Sequence, residues 1–135
     1  MTHITLSWQD AEETTLLIDA ERGWAWDEMF LITQRANEMI LSKTHTVDSI
    51  YNFNQTTAPF NTALLSQMNA ITRNPPPNAG KVYIVDSLAF GIKMVEIFTR
   101  ISRGWADRIM VCKSMEQALE DIRKRRAANT AQEVS

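Results

Sequence analysis

The chain has little of what staples, bends or catalyses: its 135 residues include one cysteine, four glycines, four prolines and two histidines. A single cysteine, Cys112, excludes an intrachain disulfide and a thiolate zinc site and suits a reducing compartment, so a cytoplasmic location is expected. Gly23, Gly80, Gly91 and Gly104 are scattered and form neither GxGxxG nor GxxxxGK[ST], which argues against a nucleotide enzyme of familiar type. No apolar run approaches the ~20 residues that span a bilayer, and the first ten residues lack a basic stretch with an apolar one behind it. Neither secretion nor membrane insertion is expected. An excess of positive charge is missing too: 14 basic against 16 acidic residues give a net charge of -2, so no broad field draws nucleic acid.

What remains is ordinary globular material, 44% hydrophobic and 22% charged. A chain of this length buries roughly two-thirds of its unfolded surface in one core. One domain over residues 1–127 is expected, with a frayed tail over 128–135.

The apolar pattern changes period along the chain. His3 to Trp8 alternates, with Ile4, Leu6 and Trp8 on one face, and Thr14 to Asp19 is rich in strand formers. With the polar segment 9–13 between them, these two runs predict a β-hairpin. Met29, Ile32, Ala36, Met39 and Ile40 then recur at helical spacing, behind Asp27 and Glu28, whose charge complements the helix dipole. A helix over Trp26 to Ser42 follows. Val47 to Phe53, Lys81 to Val85 and Arg108 to Cys112 are short runs of the kind buried in parallel sheets. Leu64, Leu65, Met68 and Ile71 predict a helix capped by Asn61, and Leu88 to Ile101 predicts another that Gly104 ends. Ser114 and Gln117 form the pattern of a capping box for a last helix carrying Met115, Leu119 and Ile122 inward. Its final turn would hold Arg123, Lys124, Arg125 and Arg126, opposing the helix dipole. The expected fold is therefore α/β: a small, mostly parallel sheet of about five strands, opened by a β-hairpin, with four helices.

Candidates for chemistry are few. His3 opens the chain and His45 lies in a polar turn, and no metal-ligand or cofactor motif accompanies either. An unfamiliar enzyme would have to draw on His45, Asp48 and Cys112. The polar stretch after the third strand is a better site, because open α/β sheets place ligands and partners at the carboxyl ends of their strands. Asn54, Thr56, Thr57, Asn61 and Thr62 lie there, beside an expected helix N-terminus that suits anions. Trp24 and Trp26 either clamp the hairpin to the first helix or offer aromatic anchors to a partner.

Several segments carry a family likeness: Trp26-Asp-Glu-Met, Val47-Asp-Ser-Ile-Tyr-Asn-Phe, Pro59-Phe-Asn, Asn74-Pro-Pro-Pro-Asn-Ala-Gly, Lys81-Val-Tyr-Ile-Val and Ser114-Met-Glu-Gln-Ala-Leu. From Ile4 to Arg125 the chain resembles the STAS-like, SpoIIAA-like domains found as small stand-alone bacterial proteins. The resemblance implies a non-enzymatic, regulatory protein-interaction module, in some members a partner switch. Its regulatory members phosphorylate a hydroxyl within a pattern resembling Asp-Ser-Ser-Gly. Here the stretch reads Asn54-Gln-Thr-Thr-Ala-Pro-Phe-Asn-Thr62, which lacks that pattern. A protein partner or self-association is expected, and the alternative is a small anionic or lipidic ligand at the same strand ends.

Overall fold

The computed structural model describes residues 3–54, 75–86 and 108–134. Its centre is a five-stranded sheet in sequential order: β1 (Ile4–Trp8), β2 (Thr15–Ala20), β3 (Val47–Asn52), β4 (Ala79–Val85) and β5 (Ile109–Cys112). The first pair is antiparallel, and each later strand lies parallel to the one before it. The described helices are α1 (Trp26–Leu41) and α2 (Met115–Val134). The α/β class and the hairpin followed by parallel strands are as expected. The two helices expected over residues 64–71 and 88–101, with Asn61 and Gly104 at their ends, lie outside the described residues.

Strand alternation divides the interior into two layers. Ile4, Leu16, Ile18, Val47, Phe53, Ile84 and Ile109 bury one face with Met29, Ile32, Ala36 and Ile40 of α1. Ile50, Tyr83, Val85 and Cys112 bury the other with Ala118 and Ile122 of α2. Among the described residues no helix is long and apolar enough to cross a membrane.

Local chemistry sets the connections. In the hairpin loop the Asp10 carboxylate accepts the Thr14 and Thr15 N–H groups at 3.0 Å and the Thr14 hydroxyl. Burial works against its ionisation, but these hydrogen bonds, with help from Arg126, hold its carboxyl below the ordinary range. Gly23 stands at φ +96° in the turn before α1, a conformation side chains resist, and a Cβ there would also meet the His3 ring at 3.3 Å. Asn78 closes the other end of α1, its Nδ2 donating to the carbonyls of Ile40 at 2.6 Å and His45 at 3.0 Å. The Ile40 carbonyl, one of the last of the helix, accepts the Lys43 N–H at 3.0 Å as well.

Two expectations about the last helix change. Ser114 Oγ accepts the Gln117 N–H at 3.2 Å, but Gln117 Oε1 accepts from Lys113 N at 2.8 Å, one residue before the usual reciprocal partner. Nor does the helix end at the basic cluster with a frayed tail behind it: α2 continues to Val134. Ala127, Ala128, Ala131, Gln132 and Glu133 are good helix formers and sustain it. Arg123 to Arg126 therefore sit in mid-helix, and opposition to the dipole is not their role.

Candidate functional site

The two ends of the parallel strands differ in chemistry. At the amino end, on the face covered by α2, Asp48 is the second residue of β3, with its side chain 3% exposed. Here β4 bulges: Val47 pairs with Ala79 and Ser49 with Val82, so Asp48 alone faces both Gly80 and Lys81. The Lys81 N–H, displaced from the ladder, donates to Asp48 Oδ1 at 2.8 Å. Arg125 and Arg126 each place Nη2 2.9 Å from Asp48 Oδ2. Arg126 also donates to Thr14 Oγ1 at 2.7 Å and Thr15 Oγ1 at 3.0 Å. Arg125 reaches the Tyr83 hydroxyl at 3.0 Å, and that hydroxyl donates to Asp121 Oδ2 at 2.7 Å.

Burial pushes the Tyr83 phenol up, and its bond to the Asp121 carboxylate adds to the shift despite the neighbouring Arg125. Tyr83 is thus a neutral bridge. Burial works against the Arg125 charge, but Tyr83 and Asp48 more than offset it and raise its pKa. Lys81, Arg125 and Arg126 face Asp10, Asp48 and Asp121, so the signs balance across the network. The amino end is a charge-compensated clamp that joins α2 to three strands.

At the carboxyl end the described residues run to Asn54 after β3 and to Asp86 after β4. Asp19, Asn52, Val85 and Cys112 lie side by side in register across β2 to β5, and the chain leaves β3 through buried Phe53 and exposed Asn54. Asn54 N–H donates to Asn52 Oδ1 at 3.1 Å, a turn that fixes the backbone and leaves the Asn54 side chain at the surface. Partial burial raises the Asp19 pKa and the Glu21 charge raises it further, while a hydrogen bond with Asn52 opposes the change. An acid held against its own ionisation at a strand end marks a candidate contact position.

That shift has a testable sign. Because the folded pKa lies above the unfolded value of about 3.9, Asp19 favours folding most below that value and loses this contribution as pH rises through the folded pKa. Asp19→Asn is expected to raise the urea midpoint at pH 7, with the advantage over wild type vanishing toward pH 3. A midpoint difference that stays constant with pH would contradict this origin.

Of the residues singled out from sequence, Asn54 is at the expected edge, whereas Thr56, Thr57, Asn61 and Thr62 lie outside the described residues. Trp24 and Trp26 are corrected as interface aromatics. They are 4% and 5% exposed, with ring centroids 4.9 Å apart, and Trp24 also lies 5.6 Å from Phe53. An indole buried on the core side of α1 has no face to offer a partner. His45, Asp48 and Cys112 do not converge. The His45 ring lies on the Glu13 carbonyl at 2.9 Å, Asp48 is held by arginines, and Cys112 pairs with Val85 at the far end of the sheet. Four residues of β4 separate Lys81 from that level, roughly 13 Å. Burial, with help from Asp121, raises the Cys112 thiol pKa and keeps the thiol protonated.

Sequence reading missed the Asp48 clamp. Its one local sign is an aspartate inside the apolar strand Val47-Asp-Ser-Ile, since a carboxylate there needs a cation from elsewhere. Arg125 and Arg126 lie 77 and 78 positions away, a separation no local pattern reports. No model of a known protein family matches the chain, and neither a curated protein nor a solved structure matches it.

Proposed function

We propose that the protein is a non-enzymatic, regulatory interaction module of STAS-like type, acting in the cytoplasm and contacting a protein partner at the carboxyl end of its parallel strands. One observation carries this reading: the amino end is closed by a compensated clamp, while the other end presents exposed Asn54 beside Asp19 and Asn52. Partner sites in open parallel sheets lie at that end. The resemblance implies a small mixed sheet with helices, and a mixed five-stranded sheet supports the reading at that level.

A protein partner fits better than a small anion or lipid headgroup, because Asp19 and Glu21 give this edge a negative sign. Size-exclusion chromatography with light scattering, together with cross-linking and recovery of bound protein, tests the proposal. The wild-type chain is expected to self-associate or retain a partner. Asn54→Arg is expected to weaken that association about tenfold or more, by placing a long charged side chain in the contact, with thermal stability unchanged. A strictly monomeric wild type without a recoverable partner, or association indifferent to Asn54→Arg, rejects it.

A further inference from the structure

We propose that α2 is a hinged cover over an apolar lane of the sheet, opening as a unit well short of global unfolding. Beneath it lie Ile50, Tyr83, Val85 and Cys112, all with essentially no exposure. What holds it there is unusual for a helix of 20 residues. Among the described residues its apolar attachment comes from Met115, Ala118 and Ile122, all within its first eight residues. Leu119, expected to point inward, is instead exposed. Beyond Ile122 the attachment described is polar: Arg125 and Arg126 on Asp48, Thr14, Thr15 and Tyr83, with Asp121 on Tyr83 one turn earlier.

Polar and apolar attachments respond differently to opening. An apolar side chain lifted from its layer gains only unfavourable contact with water. Asp48 and the two arginines recover hydration when the helix lifts, so much of the attraction lost is returned. Their exposure already points outward: Arg125 and Arg126 are 31% and 38% exposed, against 3% for Asp48. Opening also breaks no described strand pairing, because α2 follows β5 and no described strand comes after it. The pivot is Lys113 and Ser114, and the described bonds across it are the Ser114–Gln117 cap, the Gln117–Lys113 bond and the Ala118 N–H on the Ser114 carbonyl. α1 is anchored otherwise, by apolar side chains along its full length and a strand at each end.

Cys112 is the reporter. It is the only cysteine of the chain, has no exposure, and packs in one layer with Ala118 and Ile122 of α2, so lifting that layer uncovers it. The full-length protein is mixed with excess Ellman's reagent at pH 8 across low urea concentrations, and the labelling rate is compared with global unfolding followed by tryptophan fluorescence. Labelling in the absence of urea is expected to outrun the globally unfolded population and to depend weakly on urea, since the opening exposes little surface. Replacing both arginines, Arg125→Met with Arg126→Met, is expected to accelerate it about tenfold or more, by leaving Asp48 with no cation under the closed helix.

Ile32→Val, on the opposite face under α1, serves as control: it is expected to lower global stability while leaving urea-free labelling unchanged. If wild-type Cys112 reacts only at the rate of global unfolding, with the full urea dependence, the cover does not open and the proposal is overturned. The same follows if Ile32→Val accelerates labelling as much as the arginine substitutions do. Because the wild-type chain alone gives the decisive slope, failure of the double variant to fold leaves the test intact.

Discussion

Asp48→Ala is expected to lower folding free energy by about 3 kcal/mol, a large share of the 5–15 kcal/mol that holds a domain together. The substitution removes the acceptor of three hydrogen bonds, from Lys81 N, Arg125 and Arg126. The displaced Lys81 N–H is left in the bulge without the oxygen it was turned toward, and an orphaned amide alone costs about 1–3 kcal/mol. The arginines, each about one-third exposed, can turn toward water, which keeps the total near the low end of the range for broken buried pairs. Asp48→Asn separates the contributions: an amide oxygen can still accept from Lys81 N, so a smaller loss is expected there. Urea denaturation of the three proteins at pH 7 measures both. A loss below about 1 kcal/mol for Asp48→Ala would mean that the clamp contributes little.

That expectation also shows where local sequence stops being informative. Strands, α1 and the α2 cap are written in periods and caps a few residues long: Ile4, Leu6 and Trp8 alternate, Met29 to Ile40 recur at helical spacing, and Ser114 precedes Gln117 by three. Such patterns encode burial against whatever layer is nearest. The clamp is written in four distant places, Thr14–Thr15, Asp48, Lys81–Tyr83 and Arg125–Arg126, and each has a sufficient local explanation: hairpin residues, a strand start, a buried strand, a basic helix turn. Local pattern places the arginines at the end of α2, where the helix dipole alone accounts for them. Once the helix runs on to Val134 they lie in its middle, over the sheet, where a cation needs a specific partner.

The tryptophans were ambiguous for a different reason. Aromatic residues at a helix entry serve core and interface equally well, and only tertiary packing, with Trp24 beside Phe53 at the end of β3, decides between them. At the candidate site, Asn54 was legible as a polar exit from a buried strand. Asp19 was not, because its shifted pKa depends on Glu21 and Asn52 being brought beside it.

Gly80→Ala tests the clamp from the backbone side and couples directly to Asp48. A Cβ on Gly80 would overlap Asp48 Oδ1 and stand 2.8 Å from Thr46 Cγ2. Both neighbours are side-chain atoms, but they differ in freedom. Thr46 precedes β3 and is exposed, so its methyl can turn away. Asp48 cannot turn without releasing Lys81 N and two guanidinium groups. The alanine therefore displaces the carboxylate, and a loss of about 2–4 kcal/mol is expected, overpacking and lost hydrogen bonds together. The same reasoning predicts how the two substitutions combine. Once Asp48 is alanine the oxygen that blocks the new methyl is gone, and Gly80→Ala in that background is expected to cost well under half of its cost alone. A double-mutant cycle from four urea titrations should give a coupling of about 1 kcal/mol or more, whereas additive losses would place the strain at Gly80 somewhere other than Asp48.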